Sequence, residues 1–385
     1  MEIKVDVAII GAGPAGSTLA ALLAGRGTRV ALIDRETFPR DKLCGEFLSY
    51  DALPILDRLG ISVELDARGA PSIDRCVVVG RRRKYEFAFP QPARGVSRML
   101  LDDLLLRRAT AAGARSLSGW TASRVEGRKL MLDRSGESAT VEAKVLVGAW
   151  GRWGRFDTQL QRQFVRDRSH RNFGFKRHYR SALPVLGAIE LYSFRRGYLG
   201  VSPVESGLTN ICGLVHERRL SGLKGRWDAF VDMIRMEEAS LEQMYSGQQP
   251  AQEGFLTSEP VIFRARSPVE QGIVMVGDAS GVIDPLTGNG MAMAIQSAVL
   301  AAPFVLTMLT YDNPKAVENG YKEAHAGFFA RRIRWSRRVA RLLSRPRLLD
   351  AALSAVRGAW AGQFLLRRTR ADDDALARLV DAWFR

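Results

Sequence analysis

Near the start of the chain, Gly11-Ala12-Gly13-Pro14-Ala15-Gly16 stands between two short apolar runs, and this arrangement restricts what the surrounding residues can do. The run before it, Lys4 to Ile10, is rich in Val and Ile and reads as a parallel strand buried on both faces. Ser17 to Arg26 reads as a helix closed by Gly27, and a second buried strand, Arg29 to Ile33, ends at Asp34. Strand, glycine turn, helix, strand and acid form the order of a Rossmann-type βαβ unit. Gly11 permits the tight turn, Gly13 lets the backbone approach a pyrophosphate, and Gly16 lets helix and strand pack closely. The helix start beyond them offers open N–H groups and partial positive charge. Asp34 lies 18 positions after Gly16, right for a carboxylate receiving hydrogen bonds from an adenosine ribose.

A second motif stands far down the chain. The apolar strand Gly272 to Gly277 delivers Asp278 to the carboxyl edge of the sheet, where ligands bind in such folds. A carboxylate there can hold ribityl or ribose hydroxyls. Asp284-Pro285-Leu286-Thr287-Gly288-Asn289-Gly290 follows and opens a long apolar stretch, Met291 to Leu309. That stretch approaches the length of a spanning helix. Gln296, Ser297 and Pro303 interrupt it, so it reads as a core helix whose start can stabilise negative charge.

Between the motifs the pattern changes. Phe173 to Val215 alternates in the manner of long antiparallel strands, with a hairpin turn at Glu205-Ser206-Gly207. Arg226 to Tyr245 reads as one amphipathic helix and Val96 to Ala112 as another. The expected fold class is therefore α/β: a Rossmann-type nucleotide-binding domain, an inserted antiparallel β-sheet substrate domain and a C-terminal helical region. The boundaries drawn are 1–67, 93–155 and 262–330 for the first, 68–92 and 156–261 for the second, and 331–385 for the third.

Charge and cysteine content exclude several classes. The net charge is +16, and the last 55 residues carry fourteen Arg, no Lys and five Asp, a net of +9. Such an end could meet anionic lipid, but no nucleic-acid-binding motif accompanies it, so no nucleic-acid partner is expected. Cys44, Cys76 and Cys212 form no C-x-x-C pair, which speaks against a dithiol, a metal site or a disulfide scaffold. No secretory leader is visible, and a cytoplasmic location, with peripheral membrane contact through the basic end, is the expectation.

Taken with Lys42-Leu43-Cys44-Gly45-Glu46 and Arg98 in Gly95-Val96-Ser97-Arg98, the two motifs make the chain resemble a group of FAD-dependent enzymes. The group includes aromatic-ring monooxygenases, geranylgeranyl reductases and flavin-dependent halogenases. The resemblance spans roughly Val5 to Ala330 and implies FAD as cofactor. It implies FAD contacts at Gly11, Gly13, Pro14, Ala15, Gly16, Asp34, Arg35, Lys42, Cys44, Gly45, Arg98, Asp278, Pro285, Gly288, Asn289 and Gly290. The loop at Lys42–Glu46 looks like the K-P-C-G-G loop of the reductase branch.

The substrate half departs from each branch. Trp150 and Gly154 replace the Asp and Ser of the monooxygenase pattern D-G-x-x-S-x-x-R. Tyr198 to Pro203 keeps the Tyr and Pro of the reductase pattern Y-x-W-x-F-P and loses both large aromatics. No W-x-W-x-I-P of a halogenase is present. Cys44, Glu46 and Tyr198 are the candidate catalytic residues: Cys44 over the flavin, Glu46 as proton donor or helix cap, Tyr198 lining the pocket. His216 is a further acid/base candidate at a strand end. With one dinucleotide unit in the sequence, NAD(P)H would visit transiently or a separate flavin reductase would supply electrons. The leading expectation is a monooxygenase acting on an apolar or aromatic, lipid or polyketide-like molecule. The alternatives are a reductase of isoprenoid double bonds and, third, a halogenase-like or non-catalytic flavin-binding protein.

Overall fold

A computed structural model of the chain describes residues 1–384 except 168–170, 182–185, 224, 264–265, 283, 357 and 359. The strand Glu2–Ile10 lies at the centre of the first sheet, parallel to Val30–Asp34 on one side and Glu137–Gly148 on the other. Arg115–Ser118 and Ile273–Met275 extend the parallel set outward. Val7, Ala8 and Ile9 are fully buried, as a strand covered on both faces must be.

The first helix, Pro14–Ala24, has Pro14 in its first turn, where the missing N–H costs nothing. All eleven of its residues are buried. It packs between two other helices, Arg98–Ala111 and Gly290–Thr310. The latter is the one described helix long and apolar enough to cross a membrane. It is spent on the core instead: Ala292, Ala298, Ala301 and Ala302 are fully buried, and their small side chains let neighbouring helices approach closely.

The second sheet gathers strands from distant parts of the chain. Ser72–Val79 and Lys84–Gly95 form a hairpin, Phe47–Leu48 pairs outside it at the sheet edge, and Ser72–Val79 runs parallel to Gly187–Phe194. Gly197–Pro203, Leu208–His216 and Asn172–Ser181 follow in antiparallel order. The turn at Glu205-Ser206-Gly207 closes the hairpin with both Ser206 and Gly207 at positive φ. Arg226 to Tyr245, read as one helix, is two: Trp227–Glu237 and Ala239–Tyr245, separated by Glu238 in extended conformation.

Alternation divides this sheet's residues into two faces. Phe175, Tyr179, Phe194, Leu199, Val201, Ile211 and Val215 are buried with Phe230 and Ile234 of the first short helix and Leu241 and Tyr245 of the second. The opposite face carries Lys176, His178, Tyr198, Ser202, Asn210 and Cys212, and it turns toward the first domain. A buried face this polar is expensive unless its groups are paired or used.

Beyond residue 313 the chain is helical. Pro314–Leu343 is a single long helix, followed by Pro346–Ala355, Trp360–Thr369 and Asp373–Phe384. Arg332 fixes this region to the core: its guanidinium donates to Gln296 Oε1 at 2.7 Å and to Asp51 Oδ2 at 3.2 Å. Asp51 also accepts the N–H of Ala371 at 3.1 Å.

Candidate active site

The glycine turn forms the floor of the site. A side chain at Gly11 would strike the carbonyl of Ala149, and one at Gly16 the carbonyl of Gly11. Gly13 differs: the nearest atom to a Cβ built there is Nη2 of Arg98, at 3.6 Å, with no protein backbone in the way. No side chain caps the helix at Gly13, so its first N–H groups have no side-chain acceptor. Arg98 is clamped beside them by Asp102, with Nε to Oδ1 at 2.7 Å and Nη2 to Oδ2 at 2.6 Å. Burial alone would lower the guanidinium pKa, but Asp102 overrides it and the group is held above its ordinary value. Open N–H groups, a helix start and a fixed guanidinium are what a pyrophosphate requires.

Asp34 uses part of its carboxylate locally. Oδ2 accepts the N–H of Ala12 at 2.7 Å and Oδ1 that of Glu36 at 3.0 Å, which fixes the turn; a carboxylate has lone pairs to spare for a ribose. Arg35 points outward and pairs with Glu36 at 3.1 Å, 76% exposed, so its side chain lies away from the cradle. Lys42 reaches toward Gly151, its Nζ 3.4 Å from where a Cβ would stand there. Desolvation, with Arg98 and Arg40 nearby, pushes its pKa down to about 8.

The second motif meets the first. Gly277 is at positive φ, and a Cβ there would touch that of Ala15 at 3.0 Å, so only glycine brings Asp278 so close to the first helix. The Asp278 carboxylate remains about a third exposed, with Arg152 at 3.9 Å, and is open to a hydroxyl-bearing ligand. Pro285 begins a short turn that ends at Gly288, which is in the left-handed region against the ring of Phe47. Gly290 starts the core helix. Asn289 is fully buried; its Nδ2 donates to the carbonyl of Thr369 at 2.6 Å, while its Oδ1 has no protein partner. These features fit FAD, with an orphaned acceptor at the end where the flavin ring would rest.

Around the Lys42–Glu46 loop lies a cluster that sequence reading missed. Glu46 is fully buried in the left-handed region, a strained place for a non-glycine residue. Its Oε1 accepts Lys176 Nζ at 2.6 Å and the N–H of Arg98 at 2.9 Å, and its Oε2 contacts His178 Nε2 at 2.6 Å. Lys176 Nζ also reaches Asp41 Oδ1 at 2.5 Å. Burial would depress the Lys176 pKa, but Glu46 and Asp41 raise it above its ordinary value, so the ammonium stays charged. Glu46 does cap a helix, but the one beginning at Arg98 rather than the one that follows it in sequence. The Cys44 carbonyl accepts Asn210 Nδ2 at 3.0 Å and its Sγ accepts the N–H of Glu46 at 3.4 Å. Gly45 beside it has open space where a side chain would be.

Tyr198 lies one row further along the same face, paired across strands with Leu214. Its hydroxyl donates to Asp284 Oδ1 at 2.6 Å, and both residues are buried. Burial pushes the Asp284 carboxyl up to about 6, and burial with that neighbouring charge pushes the Tyr198 phenol well above its ordinary value. The pair therefore keeps the phenol protonated at neutral pH. A carboxyl with a raised folded-state pKa favours the fold below about pH 4, and that contribution is lost as pH rises through about 6. Urea unfolding of Asp284→Asn should therefore show the variant gaining on the wild type by about 3 kcal/mol between pH 4 and 7. Parallel stability curves would contradict it. His216, the other acid/base candidate, is half-buried at the strand end, with Nδ1 accepting the N–H of Arg218 at 3.2 Å.

The missed residues had one visible signal. Lys176 and His178 share parity in a strand whose other positions include Phe173, Phe175 and Tyr179. Arg177, on the aromatic face, reaches the exposed Asp228, whereas Lys176 and His178 are buried together on the other face, and such buried charge marks a site rather than a solvated surface.

The family model described as an FAD binding domain matches residues 4–326. The chain belongs to this FAD-binding family, and it is an FAD-dependent oxidoreductase by fold and cofactor. It is 28% identical over 363 residues to a tryptophan 2-halogenase of Chondromyces crocatus, covering 87% of this chain and 67% of that protein. It is also 28% identical over 361 residues to a menaquinone reductase of Mycobacterium tuberculosis, covering 89% and 85%. Among solved structures, a geranylgeranyl bacteriochlorophyll reductase-like protein of Thermoplasma acidophilum superimposes with a TM-score of 0.75 at 19% identity, over 100% of this chain and 97% of that one. The flavin-dependent halogenase CmlS gives 0.75 at 24% identity, over 99% and 70%. At these identities the superpositions establish the fold of the FAD-binding family and leave the substrate open.

Proposed function

We propose that this FAD-dependent oxidoreductase is a monooxygenase that hydroxylates an apolar or aromatic, lipid or polyketide-like small molecule. The observation that carries the reading is the buried Tyr198–Asp284 pair, which stands at the inner end of a groove and at the loop opening the core helix. Bound and reduced, FAD supplies the electrons with which oxygen is activated. The chain's own residues do the rest. Tyr198, its O–H held in a hydrogen bond to Asp284, presents its oxygen to the hydroxyl of a phenolic substrate and orients the ring. The start of the helix at Gly290 stabilises negative charge on the reduced ring. Leu214 and Phe263 exclude water beside the reacting atoms. Electrons come from NAD(P)H visiting transiently or from a separate flavin reductase.

A second reading, saturation of an isoprenoid double bond, is favoured by Glu46, Lys176 and His178. They are buried proton carriers beside the Cys44 loop, and reduction of a carbon–carbon double bond needs a proton as well as a hydride. The similarity to menaquinone reductases supports it, and that to the tryptophan 2-halogenase supports halogen transfer. One assay separates the three. The reduced holoenzyme is mixed with a panel of phenolic and prenylated molecules, with and without air and bromide. Gain of one oxygen atom, in air only, is the expected result. Gain of two hydrogens without air, or replacement of hydrogen by bromine, would assign the chain to the other branches. With an accepted substrate, Tyr198→Phe should lower product formation about 10–100-fold at unchanged FAD content; an unaltered rate would remove Tyr198 from the site.

A further inference from the structure

The groove that ends at Tyr198 is large, about 1710 Å³, and its rim is built of arginine. Arg166 comes from a short turn, Arg195 and Arg196 from a hairpin, and Arg341, Arg345 and Arg347 from the end of the long helix and the start of the next. The Arg196 N–H donates to the carbonyl of Ser344 at 3.1 Å, which holds hairpin and helix end together. All six side chains are exposed, and among the described residues none makes an ion pair or side-chain hydrogen bond. Several arginines elsewhere are matched, Arg29 with Asp6, Arg107 with Asp103, Arg134 with Glu137 and Arg235 with Glu242, and others such as Arg58, Arg68 and Arg108 stand singly among the described residues; the groove differs in gathering six around one cavity. Of the acids that line the groove, Glu238 is matched by Arg81 at 2.9 Å and Glu237 by Arg219 at 2.6 Å, Asp284 accepts the Tyr198 hydroxyl, and Asp167 stands beside Arg166 in the chain. What remains is a cluster of six exposed arginines along the groove, in excess of the acids that line it.

Below the rim the lining changes. Phe164, Leu214 and Ala340 are buried, Phe263 lies beside them, and Tyr198 with Asp284 closes the inner end. Cations outside, apolar residues within and a hydroxyl at the bottom define a ligand with the same order of chemistry. We propose that this groove binds an organic anion: an apolar or aromatic body whose phosphate, sulfate or carboxylate docks on the arginine rim. Guanidinium forks match such groups in two-point geometry, and their mutual repulsion is relieved when the anion arrives. Phe164, Leu214 and Ala340 are buried beneath the arginines, while Leu348 is exposed beside them. The inference deepens the proposed function, since it assigns the class of substrate to the same site.

Binding is tested apart from turnover, using 1-naphthyl phosphate and 1-naphthol as fluorescent probes of the FAD-loaded protein at low salt. The phosphate should bind at least about 10-fold tighter than the alcohol. Arg341→Ser/Arg345→Ser should remove that advantage and leave 1-naphthol unchanged. The double variant replaces exposed side chains and keeps the fold. Arg334→Ser/Arg338→Ser, exposed but outside the groove, should bind as the wild type does. Equal binding of the two probes, or equal loss in both double variants, would overturn the proposal. So would competition by phosphatidylglycerol vesicles that themselves require Arg341 and Arg345. If the anion binds as stated and no oxygenated product is ever found, the proposed reaction falls and the groove assignment stands.

Discussion

Gly13→Asp should leave a folded, colourless protein whose affinity for FAD has fallen at least about 100-fold. Gly13 has ordinary backbone angles, with φ −74°, and a side chain there meets only the Arg98 guanidinium at 3.6 Å. The fold therefore tolerates the change. The new carboxylate, however, occupies the helix start, pairs with Arg98 and repels the pyrophosphate that both would hold. Gly16→Ala is a poorer test, because its Cβ collides with the carbonyl of Gly11 and threatens the turn itself. Dialysis against FAD and measurement of flavin per chain reads the effect. A Gly13→Asp protein that keeps its flavin would show that the glycine turn is structural only.

Asp51→Ala should lower stability by about 3–5 kcal/mol, the loss found when one partner of a buried ion pair is removed. Asp51 and Arg332 are each 1% exposed, and Arg370 lies close by. Burial raises the Asp51 pKa, but Arg332 and Arg370 outweigh it and hold the carboxyl below its ordinary value. Without the carboxylate two guanidinium groups remain in the core, and Ala371 loses the acceptor that anchors the last helices. For a chain of this length the melting temperature should fall by roughly 4–6 °C. The double variant Asp51→Leu/Arg332→Met should lose less than the two single changes together, since an apolar pair leaves less charge stranded. Strict additivity, or a change under about 1 kcal/mol, would show that the pair is not what fastens the C-terminal helices.

The legible parts of the fold were those whose constraint is local in sequence. Gly11, Gly13 and Gly16 read as a cradle because a turn between a buried strand and a helix leaves no room for side chains at Gly11 and Gly16 and keeps Gly13 open to a ligand. Asp278 and Gly288 read as ligand-facing for the same reason, a strand end followed by a tight turn. The polar face of the second sheet was harder. Tyr198 meets Asp284 across 86 positions, and Glu46 meets Lys176 and His178 across 130 and 132. Such pairs depend on which strands neighbour each other in the second sheet, and alternation fixes only which residues share a face. Arg35 shows the opposite limit: the family resemblance implied a cofactor contact, and its side chain is 76% exposed and paired with Glu36.

The visible absorption spectrum of the purified protein, after incubation with FAD and removal of the excess, decides whether the chain carries the flavin. A yellow protein with one flavin per chain, bleached on anaerobic reduction and restored by air, is the expected result. A colourless protein, with no flavin band after incubation, would show that the glycine turn and the Asp278 strand end do not hold FAD.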